Sequence, residues 1–326
     1  MLSPRRRPLP ARALALAVLL LLGACATPRP GTVDWGGLPA AVELEQTPFF
    51  PQQDDQCGPA ALATVLTSSG LSVTPADLVA EVYLPGRRGS LQAEMVAAAR
   101  SRGRLPYRLP PQPEALLAEL EAGRPVLVLQ QLGVGPWPLW HYAVLVGIDA
   151  ARERVLLRSG VEQRLEMKAS RFLASWQRAG SWALVTLRPG ELPARPLLEP
   201  YMEAAAGFEA LERFADAELA YAAAAAAWPG SALPRLGLAN VAFARGDLRR
   251  AESGYRAAVA LDPRNIVALN NRAEALLRWG CPAQALRVAG EAQALAAGGP
   301  FEPAVRATLA GIAASAELDR ASCPSN

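Results

Sequence analysis

Residues 51–62 read Pro-Gln-Gln-Asp-Asp-Gln-Cys-Gly-Pro-Ala-Ala-Leu, and the reading of the first half of the chain turns on this stretch. It puts a thiol, Cys57, at the start of an apolar run that predicts a helix to Ser68, with Pro59 in the first turn, where a missing N–H costs little. Free N–H groups and the positive end of the helix dipole at such a start favour a thiolate, which predicts a lowered pKa and a nucleophilic sulfur. Gly58 would leave room for a substrate backbone to come close. The upstream glutamines Gln52 and Gln53, if not solvated loop residues, supply a side-chain N–H that could hold an acyl-transfer oxyanion together with the Cys57 backbone N–H.

Counting fixes the partner. His141 is the only histidine in the chain, so any Cys-His or Ser-His chemistry must use it. It opens the run Trp140-His141-Tyr142-Ala143-Val144-Leu145-Val146-Gly147-Ile148-Asp149, which reads as a buried strand. At the mouth of that strand the ring could reach a thiol on a neighbouring helix end, at the roughly 3 to 4 Å such chemistry needs. Alone, Cys57 would read as a small buried hydrophobe and His141 as a core histidine; their joint presence favours a catalytic pair. Trp137 and Trp140 either line a substrate groove or pack in the core. No Cys-x-x-Cys or His-x-x-x-His spacing offers a metal site. Gly133-Val134-Gly135 is interrupted by Pro136 and Pro138 and reads as a turn, not a phosphate loop. No cofactor is expected.

Gln53-Asp54-Asp55-Gln56-Cys57-Gly58-Pro59-Ala60-Ala61-Leu62, followed about 84 residues later by His141-Tyr142-Ala143-Val144-Leu145-Val146-Gly147, resembles the papain-like cysteine peptidases of the bacteriocin-processing type, family thirty-nine. More narrowly, the chain is similar to their stand-alone lipoprotein branch, which carries tetratricopeptide repeats. The likeness spans roughly residues 47 to 187 plus the repeats. It implies an α+β papain-like domain, Cys57 as nucleophile, His141 as general base and acid, and an oxyanion glutamine, for which Gln52 matches best and Gln53 competes. Relatives usually place an Asp, often before Pro, on the strand after the histidine, where this chain has Arg158-Ser159-Gly160. Ser159 could orient the imidazole through a neutral hydrogen bond. Glu162 could do so if the hairpin register set it opposite His141. Asp149 lies eight residues on, about 26 Å away at ~3.3 Å per residue. The expected activity is cleavage of peptide bonds. A catalytically silent peptide-binding scaffold and an acyl transferase using the same pair remain as alternatives.

Around this core the 326 residues divide readily. Residues 1–24 read as a secretion signal: Arg5, Arg6, Arg7 and Arg12 precede the apolar stretch Ala13 to Leu22, too short to span a membrane. Leu22-Gly23-Ala24-Cys25 resembles a lipobox, which implies a lipid on Cys25, and Ala26 after it suggests sorting to the outer membrane, facing the periplasm. Loss of four arginines takes the formal net charge from +3 to about −1, so nothing basic remains for nucleic acid. Residues 25–46 read as a tether.

Residues 47–188 form the peptidase-like unit, with helices at Cys57 to Ser68, Pro75 to Tyr83, Ser90 to Ser101 and Pro113 to Ala122. Strands follow at Val126 to Gln130, Tyr142 to Ile148, Val155 to Arg158 and Trp182 to Leu187. Helices first and an antiparallel sheet afterwards give an α+β class. Pro189, Pro193, Pro196 and Pro200 mark a linker, 189–200.

Beyond the linker a 34-residue period appears in Ala217, Ala251 and Ala285, in Ala224, Ala258 and Ala292, in Tyr221 and Tyr255, in Pro229 and Pro263, and in Gly246 and Gly280. Small residues at fixed phase let paired helices approach, which resembles about three tetratricopeptide repeats over 201–299. A C-terminal helix and tail, 300–326, follow. The repeats would dock a protein partner or substrate. With Cys25 acylated, Cys57 is the expected free thiol, leaving Cys281 and Cys323 either bridged or separately buried.

Overall fold

A computed structural model describes residues 41–52, 55–133, 138–316 and 323. The expected signal, Cys25, most of the tether, Gln53 and Trp137 lie outside the described residues, as does part of the Gly133–Gly135 turn.

A seven-stranded antiparallel sheet organises the first part, with strand order β2-β7-β3-β4-β5-β6 and β1 added alongside β4. The strands are β1 (Ala41–Glu43), β2 (Leu105–Arg108), β3 (Val126–Gln131), β4 (Trp140–Asp149), β5 (Arg154–Ser159), β6 (Glu162–Lys168) and β7 (Ala183–Leu187). Helices α1 (Cys57–Ser68), α2 (Ala76–Val82) and α3 (Gln92–Ser101) cover one face. There Leu62, Val65 and Leu66 of α1 pack with Leu127, Leu129, Tyr142, Val144 and Val146 of the sheet. Alternate strand residues point the other way, towards α5 (Ala169–Arg178), where buried Gln130 donates from Nε2 to Ser175 Oγ at 2.8 Å. Helix α4 (Pro113–Glu121) joins β2 to β3.

Four elements depart from the order read in the sequence. Two strands, β1 and β2, precede or interrupt the helices; β2 is short and contains Pro106, which an edge strand tolerates because one of its sides needs no ladder bond. Strand β6, Glu-Gln-Arg-Leu-Glu-Met-Lys, is the other edge of the sheet and is largely exposed and charged, a pattern that blunts edge pairing and hides the strand from a hydrophobicity reading. Helix α5 follows it directly.

The second part is helical throughout: α6 (Leu198–Ala210), α7 (Phe214–Ala227), α8 (Ala232–Ala244), α9 (Leu248–Leu261), α10 (Ile266–Arg278), α11 (Pro282–Ala296) and α12 (Glu302–Ala316). The phased alanines of α7, α9 and α11 are buried, as are Tyr221 and Tyr255. Pro200 falls inside the first turn of α6, not in the linker, because a helix start does not use that N–H. Cys281 and Cys323 are bonded to each other, fastening the tail to the start of α11.

The linker is packed down. Glu119, buried on α4, accepts from the Ala194 N–H at 2.7 Å and from Arg124. Leu197 N–H donates to Tyr107 Oη, and Tyr201 of α6 lies against the Tyr107 ring with centroids 6.5 Å apart. The first repeat therefore shares a core with the sheet.

Candidate active site

Cys57 is the first residue of α1, and it is the free cysteine among the described residues. Three backbone N–H groups act to lower its pKa: that of Tyr142 on β4, that of Gly58 and its own. Residue 142 directly follows His141, so the packing of α1 on β4 carries the thiol to the mouth of the strand where the imidazole stands.

His141 is held from the neighbouring strand. Its Nε2 lies 2.8 Å from Ser159 Oγ at the end of β5. Glu162 does not take this place: it pairs with Ser159 across the β5–β6 turn, not with His141, and it is exposed. Asp149 ends the opposite tip of β4. Among the described residues no hydrogen bond joins the Cys57 thiol to the imidazole, whose Nδ1 is without a partner. Catalytic hydrogen bonds often tighten only when substrate is bound.

Gln52 reaches the same place. Its backbone N–H donates to Gly160 O at 3.0 Å, beside Ser159, and its Nε2 approaches Tyr142 O at 3.5 Å. Cys57, Gln52 and Ser159 thus surround the main chain at His141 and Tyr142.

The electrostatics differ from the expected lowered thiol. Burial raises the Cys57 pKa and outweighs the three N–H donors at the helix start, and the Asp55 carboxylate pushes in the same direction. Burial also lowers the His141 pKa, since the charged imidazolium loses its hydration. The two effects favour a neutral thiol and a neutral imidazole at rest. Asp55, in a left-handed conformation at φ 61°, is held by Arg88 at 2.9 Å.

Gly58 also has a different role from the one expected. A Cβ at this position would lie 2.1 Å from Ser90 Oγ and 2.6 Å from Ser90 Cβ, so its open side is occupied by Ser90 instead of being kept for substrate. Ser90 Oγ and Glu94 Oε2 are buried without hydrogen-bond partners among the described residues. The rim of the sheet end is apolar: Leu139 is 61% exposed, Trp140 52% and Val161 78%. Trp140 is therefore not a core residue.

A residue overlooked in the sequence is Arg158, 5% exposed within β5. An arginine directly after the apolar run Val155-Leu156-Leu157 was the available signal, since a buried cation demands partners.

Residues 44–184 match the family described as "Peptidase_C39 like family". Among solved structures, the chain is similar to a C39-like peptidase from Bacillus anthracis, with 18% identity, 46% of this chain and 98% of that chain covered, and a TM-score of 0.39. It is also similar to the type III secretion translocator chaperone SycD of Yersinia enterocolitica, with 25% identity, 37% and 86% covered, and a TM-score of 0.35. A third is the TPR2B domain of yeast Sti1 in complex with an Hsp70 peptide, with 16% identity, 36% and 97% covered, and a TM-score of 0.35. No curated protein matches the chain. The chain carries an α+β domain with the C39-like fold, followed by a helical region of the tetratricopeptide-like kind.

Proposed function

From the match of residues 44–184 to the C39-like peptidase family, we propose that this chain is a thiol peptidase with Cys57 as nucleophile and His141 as general base. The observation that carries the reading is the convergence on one stretch of main chain. The Tyr142 N–H acts on the Cys57 thiol, Gln52 approaches the Tyr142 carbonyl, and the preceding His141 is anchored by Ser159.

In the first step His141 Nδ1 takes the thiol proton as the sulfur adds to the scissile carbonyl carbon. For Nδ1 to accept, the ring must carry its proton on Nε2 and donate it to Ser159 Oγ, the serine acting as acceptor in that tautomer. The Cys57 N–H and Gln52 Nε2 receive the carbonyl oxygen as it gains charge. The imidazolium then returns its proton to the leaving amine, leaving a thioester. Water, deprotonated by the same imidazole, hydrolyses it to a carboxylic acid and free thiol. A lipid on Cys25 would hold the enzyme at the outer membrane, facing the periplasm. The repeats would dock a protein partner or the substrate.

A thiol-directed covalent probe should label the wild type and not Cys57→Ala; equal labelling of both would end this reading. The neutral thiol, the neutral imidazole and Ser159 where relatives have Asp favour a second reading, a peptide-binding scaffold without turnover. An acyl-enzyme mass on Cys57 with a candidate peptide would exclude it. Transfer of the acyl group to an amine instead of water would be recognised by the mass of the product.

A further inference from the structure

Gln52 sits at the end of a strap, residues 44–52, that leaves β1 beside β4 and runs to the β5–β6 turn. The strap is fixed at its start by Leu44 N–H to Val146 O at 2.8 Å and at its end by Gln52 N–H to Gly160 O at 3.0 Å. Between these points it forms no ladder with a strand. Its middle is gripped by one side chain. Arg158 donates from Nε and Nη2 to Thr47 O, both at 3.3 Å, from Nη2 to Glu45 O at 3.0 Å, and from Nη1 to Gln163 O at 2.6 Å.

Among the described residues no carboxylate forms an ion pair with Arg158. Glu43, whose charge acts on Arg158, is engaged in a two-point pair with Arg164 at 2.8 and 2.9 Å. A buried guanidinium satisfied by three main-chain carbonyls is costly to place and rigid once placed, since its planar fork fixes every acceptor it holds. The acceptors lie on two different segments, the strap and β6, so Arg158 locks one to the other. Its neighbour Ser159 anchors His141. Two consecutive β5 residues therefore hold the two sides of the candidate site.

We infer that Arg158 is the positioning residue for the oxyanion glutamine: by clamping Glu45 and Thr47 it sets the path of the strap, and so the distance of Gln52 Nε2 from the Cys57 sulfur. This rests on the reading of Gln52 as an oxyanion donor and deepens it. Arg158 touches neither substrate nor the reacting sulfur.

The test compares two reactions of Cys57 in the full-length protein. Acylation by p-nitrophenyl acetate passes through an oxyanion, whereas alkylation by iodoacetamide does not. Arg158→Met should slow acylation about tenfold while alkylation stays within about twofold, and Gln52→Ala should slow acylation about 10²-fold relative to the wild type, the size that loss of one oxyanion donor gives. The double variant should equal Gln52→Ala alone, because Arg158 acts through Gln52. Arg158→Lys, which keeps the charge and can still donate to a strap carbonyl, should recover part of the loss. Full additivity in the double variant, or acylation and alkylation falling together, would overturn the inference while leaving Gln52 in its role. Wild-type acylation in Gln52→Ala would overturn the oxyanion reading itself, and the inference with it.

Discussion

Replacing Ser159 with aspartate should turn the neutral pair at the candidate site into an ionised one. The serine oxygen lies 2.8 Å from His141 Nε2, so a carboxylate there would face the ring at hydrogen-bond distance with little water between, Ser159 being buried. An opposite charge at this range raises a pKa by about 1 to 3 units. At about 1.4 kcal/mol per unit, that is roughly 1.4 to 4 kcal/mol in favour of the imidazolium, or a tenfold to thousandfold gain in the thiolate–imidazolium population. The carboxylate can only accept, so it also fixes the tautomer that leaves Nδ1 free to take the thiol proton, a choice serine leaves open.

Because the chain has one histidine, its imidazole NMR signal identifies itself in a pH titration. The wild type should titrate below the ordinary 6.5, Ser159→Ala likewise, and Ser159→Asp higher than either. Iodoacetamide should alkylate the wild type only as the thiol ionises, above its ordinary 9.0. In Ser159→Asp a second, acid-side limb of reactivity should appear. An imidazole in Ser159→Asp that titrates where the wild type does would refute the argument that Ser159 governs His141.

Other consequences can be checked separately. The folded state holds His141 neutral more strongly than the unfolded chain does, so acidification below about 6.5 favours the unfolded form, which takes up the proton more readily. The urea midpoint should fall more between pH 7 and pH 5.5 in the wild type than in His141→Gln; equal falls would contradict it. Gly58→Ala should destabilise by about 1 to 3 kcal/mol through collision with Ser90, read as a lower urea midpoint, and Ser90→Gly in the same chain should relieve it. A chain ending after Arg188 would uncover Tyr107 and remove one partner of buried Glu119. Its sheet domain should be less stable than in the full chain by at least the ~1.5 to 3 kcal/mol of one buried aromatic, and an unchanged midpoint would show that the repeats are not part of that core. Reduction of Cys281–Cys323, 42 residues apart, should cost about 2 to 4 kcal/mol, seen as a lower melting temperature in dithiothreitol.

The sequence was legible where burial leaves a period. Helix α1 and strands β3, β4, β5 and β7 each carry apolar runs, and the phased alanines of the repeats are the residues through which the paired helices touch. Strand β6 was hidden by its charges, because an edge strand with one solvated face carries no hydrophobic signature. Strand β2 was hidden by its length and by Pro106. At the site, residue types pointed to Cys57 and His141, and the family resemblance to Gln52 or Gln53 and to the position of Ser159, but nothing said which of Ser159 and Glu162 meets the imidazole. That depends on the β5–β6 register, a property of main-chain pairing that no single residue encodes. The thiol pKa was misjudged for a related reason: the donors at a helix start are local and visible in sequence, whereas the burial that outweighs them comes from strand residues far along the chain. Arg158 was passed over because its partners are carbonyl groups, which any sequence supplies.

The claim on which the rest stands is that the imidazole of His141 serves the sulfur of Cys57, and intact-mass analysis of Cys57 acylation in the wild type and His141→Ala tests it most directly. With p-nitrophenyl acetate near pH 7, the wild type should form the thioester at Cys57 and discharge it. His141→Ala, with its fold unchanged by circular dichroism, should acylate at least about 10²-fold more slowly, as expected for loss of a general base. Equal rates in the two proteins would mean that the two side chains do not act together, and the peptidase reading would fall.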